Sequence, residues 1–145
     1  MGGILLRQYL SEHTLENLGN VVMLGPPNKG SELVDFFQSS PFLSLAFNAI
    51  NGPAGGQLGT GQQSWLKQLE AVDFALGVIA GTRNYNFFYR HILNDKSDGK
   101  VTVESSKVEG MTDHLVLPVD HTFMMLDRRV IEQVRQFLAF AEFKH

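Results

Sequence analysis

The chain has 145 residues, and domain statistics for this length favour a single domain built around one core. Its hydrophobic fraction of 43% and charged fraction of 19% are ordinary for a folded protein and exclude intrinsic disorder. A net charge of −3 supplies no basic surface for nucleic acid or anionic lipid. The absence of cysteine excludes disulfides, thiolate nucleophiles and cysteine-based zinc sites.

Membrane and targeting signals are not visible in the pattern. No apolar run approaches the ~20 residues that a membrane-spanning helix requires. The start of the chain lacks the basic region of a signal peptide, and Leu6 breaks the myristoylation pattern. We therefore expect a cytoplasmic protein without a transmembrane segment, and the sequence indicates no cofactor.

The first half of the chain alternates helix and strand patterns. Apolar residues at helical spacing predict a buried helix over residues 4–10. A β-branched run between glycines predicts a buried parallel strand over residues 20–24. Short helices are expected over residues 32–38 and 41–50. The glycine-rich residues 51–61 form either a binding loop or a plain connection.

The second half continues this alternation. A capped amphipathic helix is predicted over residues 64–72 and a buried strand over residues 75–81. A short turn or helix begins in residues 101–103, and a third strand covers residues 115–119. From Asp127 the apolar spacing predicts a helix of about 16 residues. Together these elements predict an α/β fold with about three parallel strands and flanking helices.

A glycine-rich turn over residues 25–31 imitates a phosphate-binding loop. Such a loop requires lysine and then serine or threonine after its last glycine, but Ser31 and Glu32 stand there. Pro26 and Pro27 also remove two of the backbone N–H groups that would hold a phosphate. A nucleotide site is therefore not expected.

Asp98 and His121 form a second candidate site. Each lies beside a predicted strand end, where α/β proteins place their sites. In a nucleophilic hydrolase an acid orients an imidazole, and the imidazole takes the proton of the nucleophile. The alternative is that Asp98 only forms an Asp-Gly turn and that His121 is a surface residue. A catalytic role requires a hydrogen bond between the two side chains and an open space where a serine could stand.

Two Asp-His pairs also have residue types that ligate metals. They are Asp113 with His114 and Asp120 with His121. No pairing of histidines on one helix face supports a metal site, so none is expected. We expect His114 to pack in a strand or a turn.

Four segments together resemble the α/β-hydrolase superfamily, in particular its bacterial lipase and esterase-like members. They are residues 1–10, 22–31, 98–101 and 121–123. The nucleophile elbow of that family reads Gly-x-Ser-Met-Gly-Gly, and Met1 matches the residue that follows the serine. The resemblance covers the whole chain but only the C-terminal half of the family's fold. It implies that residues 1–145 are one domain, the C-terminal portion of a hydrolase domain.

The resemblance implies roles for particular residues. Asp98 would be the acid of a Ser-His-Asp triad, and His121 would be its general base. Met1 would supply one N–H of the oxyanion hole, and Gly2 would allow close packing at the elbow. The substrate would be a carboxylic ester with an apolar acyl group. The residues implied to border its pocket are Pro26, Asn28, Gly30 and Ser31.

The serine of the elbow and the strands before it are missing from this sequence. We therefore expect the isolated chain to hydrolyse esters little or not at all. Residues 21–24 would become an edge strand, which predicts self-association or pairing with a separately made N-terminal half. Two other interpretations stay open: the chain could be a non-catalytic interaction module, or its gene could begin upstream of the Met1 codon.

Overall fold

The computed structural model describes residues 2–30, 69, 71–85 and 96–145. The helices predicted over residues 32–38 and 41–50 and the loop over residues 51–61 lie outside this part of the chain. The described elements are, in chain order, α1 (Gly2–Glu12), β1 (Val21–Leu24), β2 (Leu76–Gly81), α2 (Val103–Ser106), β3 (Asp113–Leu117), a 3-10 helix (Met124–Leu126) and α3 (Arg128–Phe140).

The three strands form one parallel sheet in the order β1-β2-β3. The register pairs Val22 with Gly77 across the first interface and Ile79 with Leu115 across the second. Every residue of β2 is buried, which explains why this strand reads as an unbroken apolar run. Parallel neighbours need crossover connections, and helices flank the sheet, so the predicted α/β fold is confirmed.

The third strand begins earlier and ends earlier than its sequence indicated. It starts at Asp113, two residues before the predicted start, because Asp113 pairs with Gly77 of the central strand. It ends at Leu117, since Pro118 has no N–H with which to continue a ladder. The start of β3 is hard to recognise in the sequence because its polar residues have a low strand propensity. The strand forms there nevertheless, since pairing with β2 outweighs that low propensity.

The helix predicted over residues 64–72 is wrong at its described end. Ala71 and Val72 are not helical, and apart from residue 69 the rest of that range lies outside the described residues. The Val72 N–H donates instead to the backbone oxygen of Glu109 at 3.0 Å. Pairing with the loop that precedes β3 therefore replaces a final helical turn.

One face of the sheet packs against α3. Val130 and Phe137 of this helix are buried in one cluster with Ile79 and Leu115. Phe143, just after the helix, tilts against Phe137 with ring centroids 4.8 Å apart. The apolar spacing from Asp127 predicted this face correctly, although the helix has 13 residues rather than about 16.

A charged cap fixes the start of α3. The Asp127 carboxylate accepts a hydrogen bond from the Arg129 backbone N–H at 2.9 Å. It also lies 2.7 Å from Nη2 of the Arg129 guanidinium. Hydrogen bonds from Arg129 lower the pKa of Asp127 to about 2, so the cap stays ionised through the physiological range. The helix ends at Phe140, and the C-cap residue Ala141 adopts the left-handed conformation with φ of 58°.

The other face of the sheet carries a second apolar cluster. Met23, Leu76 and Val78 are buried there, and Leu6 of α1 packs against them. Val78 and Ile79 belong to different clusters because successive side chains of a strand point to opposite faces. No helix within the described ranges is long and apolar enough to cross a membrane.

Gly77 is expected to tolerate no side chain. A Cβ atom there would lie 2.7 Å from Phe137 Cδ2 and 2.7 Å from Phe143 Cζ. Gly77→Ala should therefore lower the free energy of unfolding by about 1–3 kcal/mol, the usual effect of overpacking a core. Gly19→Ala is the matched control, since a Cβ at Gly19 meets nothing within 4 Å. Urea denaturation of both variants checks this, and equal losses would contradict the close contact.

Candidate active site

The candidate site lies where the strands end. Gly25 follows β1 directly, and His121 lies a few residues beyond the end of β3. Asp98 belongs to the loop that precedes α2. The carboxyl ends of parallel strands share one edge of a sheet, so these loops meet there.

Backbone donors hold the Asp98 carboxylate in place. Its Oδ1 accepts hydrogen bonds from the N–H groups of Lys100 at 2.9 Å and Val101 at 2.8 Å. Gly99 between them has a φ of 96°, which favours glycine. The Asp-Gly turn considered from the sequence is therefore present. It uses only one carboxylate oxygen, and the side chain as a whole is 1% exposed.

The second oxygen of Asp98 faces His121. The distance from Asp98 Oδ2 to His121 Nδ1 is 2.8 Å. The His121 backbone N–H also donates to the Asp98 backbone oxygen at 3.0 Å. A neutral imidazole that donates from Nδ1 carries its basic lone pair on Nε2. The His121 side chain is 27% exposed, so solvent reaches it while its partner stays buried. The hydrogen bond required for a catalytic role is thus present, and the role itself stays a prediction.

Gly25 makes room for this pair, a role that the sequence pattern did not indicate. A Cβ atom at Gly25 would lie 2.8 Å from Asp98 Oδ2 and 2.9 Å from His121 Nδ1. The residue also has a φ of 51°, in the left-handed region. A glycine directly at a strand end is the signal that could have identified it.

A cavity of about 300 Å³ adjoins His121. It lies between the amino end of α1, the strand β1 and the turn after that strand. His121 is the only ionisable side chain among the described residues that line it. The described lining residues are Gly2, Gly3, Leu6, Val22, Met23, Leu24, Gly25, Pro26 and His121.

The residues predicted to border the substrate fall into three groups. Pro26 lines the cavity, as does the predicted elbow residue Gly2. Asn28 and Gly30 do not line it: Asn28 is 4% exposed, and the Gly30 oxygen accepts a hydrogen bond from the Ser105 hydroxyl. Met1 and Ser31 lie outside the described residues. The structure therefore brings Pro26 and Gly2 to the cavity beside His121 and places Asn28 elsewhere.

Asn28 belongs to a buried polar network behind the site. Its amide donates to the Ser106 backbone oxygen at 2.7 Å, and its Oδ1 lies 3.5 Å from Nη1 of Arg7. The Ser106 hydroxyl lies 3.0 Å from Nε2 of His114, which sits in β3 as expected. Burial lowers the pKa of Arg7, and burial with the charge of Lys107 lowers the pKa of His114. His114 is therefore neutral near pH 7 and ties α2 to the sheet.

The Asp-His pairs weighed as metal ligands have other partners. Asp113 accepts hydrogen bonds from the Phe143 backbone N–H at 2.9 Å and lies 3.0 Å from Nε2 of His145. His114 contacts Ser106, and His121 contacts Asp98. Within the part of the chain that the structure describes, no group of three His, Cys, Asp or Glu side chains could hold a metal ion.

Two solved structures share this fold. They are crystal structures of the lipase BlEst2 of Bacillus licheniformis, in its mature and propeptide forms. The mature form matches with a TM-score of 0.64 and 22% identity over 87% of this chain and 56% of the lipase chain. The propeptide form matches with a TM-score of 0.69 and 22% identity over 88% of this chain and 31% of the other.

The chain has a partial lipase-like fold. It spans 56% or less of the length of these two lipase chains. The expected resemblance to bacterial lipases is thereby confirmed at the level of fold. No protein-family model matches the sequence, and a comparison with curated proteins finds no significant match.

Adding a methyl group at Gly25 is expected to separate Asp98 from His121. Gly25→Ala places its Cβ against both side chains and costs about 1–2 kcal/mol for the left-handed backbone. Imidazole NMR signals, assigned with a His121→Gln variant, should show that the Nδ1 proton of His121 loses its hydrogen bond. Gly19→Ala, with open space around its Cβ, should leave these signals unchanged. An unaltered His121 spectrum in Gly25→Ala would show that this contact does not position the pair.

Proposed function

We propose that this chain carries the general base and the acid of a lipase-like serine hydrolase that cleaves carboxylic esters. The observation that carries the proposal is the 2.8 Å contact between His121 Nδ1 and the buried Asp98 carboxylate, beside a glycine-lined cavity. The likeness to a lipase fold is in keeping with it. By the resemblance, the chain is the C-terminal portion of a larger hydrolase domain.

In the proposed mechanism His121 moves the protons. Its Nε2 takes the hydroxyl proton of a serine as the serine oxygen attacks the ester carbonyl carbon. The imidazolium then returns this proton to the leaving alcohol. Asp98 stays ionised throughout, holds the Nδ1 tautomer and stabilises the imidazolium. Its two backbone donors keep it oriented while the charge on the ring changes.

The serine is proposed to stand at the amino end of α1. Gly2 and Gly3 line the cavity there, next to His121. The first N–H groups of a helix have no partner within the helix, so they are available to a developing oxyanion. By the resemblance, one donor would be the N–H of Met1. Gly2 and Gly3 let the serine and the substrate carbonyl approach the helix closely.

The proposed substrate is an ester with an apolar acyl group. Leu6, Val22, Leu24 and Pro26 supply apolar lining to the cavity. An acyl chain gains binding energy in such surroundings by leaving water. Asn28 and Gly30 are proposed to support the turn that borders the acyl group, and by the resemblance Ser31 is proposed as a substrate-binding residue. No step of this mechanism needs a cofactor.

Reading the nucleotide sequence upstream of the Met1 codon tests this function. We expect it to encode Gly-x-Ser in frame, directly before Met1. The protein extended by that segment should hydrolyse 4-nitrophenyl butyrate, and His121→Ala should lower kcat by about 10⁴-fold because the base acts together with the nucleophile. His145→Ala, which changes an exposed histidine outside the site, is the control.

Three results would contradict the proposed function. They are an upstream frame without Gly-x-Ser, an extended and folded protein without esterase activity, and hydrolysis that persists in His121→Ala. Circular dichroism of each protein separates a loss of activity from a loss of fold.

The outer side of β1 favours a second candidate function, that of an interaction module. The N–H groups of Val21 and Gly25 donate to oxygens of the β2 segment, at 2.9 Å and 2.8 Å. Backbone groups alternate along a strand, so the N–H groups of Val22 and Leu24 point away from β2. Among the described residues no strand pairs with that side. We propose that a second copy or a separate N-terminal half pairs there.

Hydrogen exchange with concentration as the variable tests this pairing. In dilute samples the amides of Val22 and Leu24 should exchange faster than those of Val21 and Gly25, which are hydrogen-bonded to the neighbouring segment. At high concentration the Val22 and Leu24 amides should become protected, while light scattering reports a rising molecular mass. A monomer at every concentration, with no change in protection, would remove self-association at this edge.

A further inference from the structure

The outward side of α3 carries a line of exposed residues. Their spacing of four, three and four residues keeps them on one side of a helix that has 3.6 residues per turn. Val130 and Phe137 on the opposite side are buried against the sheet. We call this line the outer stripe, and its residues line a surface groove of about 540 Å³. The outer stripe consists of Arg128, Glu132, Arg135 and Ala139.

The charges of the outer stripe have no ion-pair partner among the described residues. The segment that follows α3 also leaves the stripe uncovered. It returns instead to Gln133, whose side-chain amide exchanges two hydrogen bonds with the backbone of Lys144, at 2.8 Å and 2.9 Å. Gln133 is half-buried and does not belong to the stripe. The charged side chains of the stripe are therefore open to a partner.

The signs along the outer stripe alternate, which limits the kind of partner that fits it. Arg128 and Arg135 are positive, and Glu132 between them is negative. A surface of a single sign, such as an anionic lipid layer or a nucleic acid, would attract the arginines but repel the glutamate. The matching partner therefore presents both signs at the same spacing.

A second copy of α3 is such a partner when it runs in the opposite direction. The spacing of the outer stripe is the same when it is read from either end. With a two-fold axis between Glu132 and Arg135, each Glu132 faces Arg135 of the other copy. Each Ala139 then faces Arg128 of the other copy and leaves room for its longer side chain. A parallel copy would instead place glutamate against glutamate and arginine against arginine, so the charges select the antiparallel direction.

An apolar flank beside the outer stripe fits the same arrangement. Ile131 is 45% exposed and Leu138 is 50% exposed, and the two lie seven residues apart on the same side of the stripe. A two-fold axis across the interface brings like flanks together, so Ile131 of each copy approaches Leu138 of the other. Burial of these side chains removes apolar surface from water and favours association.

We propose that the outer stripe of α3 is a docking surface for a second copy of this chain, packed antiparallel to the first. The inference concerns a different surface from the strand edge of β1 and does not depend on the proposed hydrolase activity. A helix of 13 residues is about 20 Å long. One pair of such helices buries less than the roughly 1,200 Å² of a stable complex. The dimer is therefore weak, and it forms at high protein concentration.

Charge reversal across the two-fold axis tests the pairing. Glu132→Arg places arginine against arginine, and Arg135→Glu places glutamate against glutamate, at two contacts in each dimer. Each variant should raise the dimer dissociation constant by about tenfold or more in sedimentation equilibrium. An equimolar mixture of the two variants should recover the wild-type constant, because every contact between unlike chains is again arginine against glutamate.

Glu109→Arg is the matched control. Glu109 is exposed, and its neighbour Val108 packs in the apolar cluster on the other face of the sheet. The same charge change there should leave the dissociation constant unchanged. Equal effects of Glu109→Arg and Glu132→Arg, or a mixture that associates no better than the separate variants, would overturn the proposal.

A crosslink tests the antiparallel direction. The sequence contains no cysteine, so each introduced cysteine is the only thiol of its chain. A short bismaleimide should join Arg128→Cys chains to Ala139→Cys chains in a mixture. It should not join two Ala139→Cys chains, since these positions lie at opposite ends of the antiparallel pair. Crosslinking of Ala139→Cys with itself would show a parallel pair and contradict the proposed arrangement.

The outcomes also separate this surface from the edge of β1. If both surfaces pair, Glu132→Arg weakens the dimer while the amides of Val22 and Leu24 still become protected at high concentration. Association that Glu132→Arg leaves unchanged, together with protection of Val22 and Leu24, overturns the outer stripe alone. A chain that stays monomeric at every concentration overturns both pairings and leaves the proposed hydrolase function standing.

Discussion

Parallel pairing of the three strands is the constraint on which the candidate site depends. Because β1, β2 and β3 run in the same direction, the segments that leave them gather at one edge of the sheet. Gly25 and His121 meet there, although β2 lies between their strands. A slip of one residue in either ladder would turn the side chains of that strand to the other face and bury the wrong set. The position of the candidate site therefore depends first on the backbone register of the sheet.

The polar side chains around the candidate site are of two kinds, those bonded to one another away from the cavity and those at the cavity. Asn28, Ser106 and His114 satisfy one another inside the protein and lie away from the cavity. Buried groups of this kind stabilise a fold when all are paired and are costly when one is lost. His121 differs because its ring, while hydrogen-bonded to a buried carboxylate through Nδ1, also lines the cavity. Residue type alone, with two histidines close in sequence to aspartates, does not reveal this difference.

Much of the fold could be predicted from the sequence, because its strongest signals are local. The unbroken apolar run of β2 and the spacing along α3 each report burial directly. The start of β3 and the end of the helix predicted over residues 64–72 could not be predicted, since partners distant in the chain decide both. Likewise, strand ends and a family resemblance pointed to Asp98 and His121. The contact of Gly25 with both depends on interatomic distances that no local pattern encodes.

The loops that carry Asp98 and His121 are joined twice, once through their side chains and once through the backbone N–H of His121 and the oxygen of Asp98. A single link would leave either loop able to rotate about it. Two hydrogen bonds between the same pair of residues restrict that rotation. We therefore expect a displacement of one loop to carry the other with it, which keeps the Asp98 carboxylate and the His121 imidazole within hydrogen-bond distance.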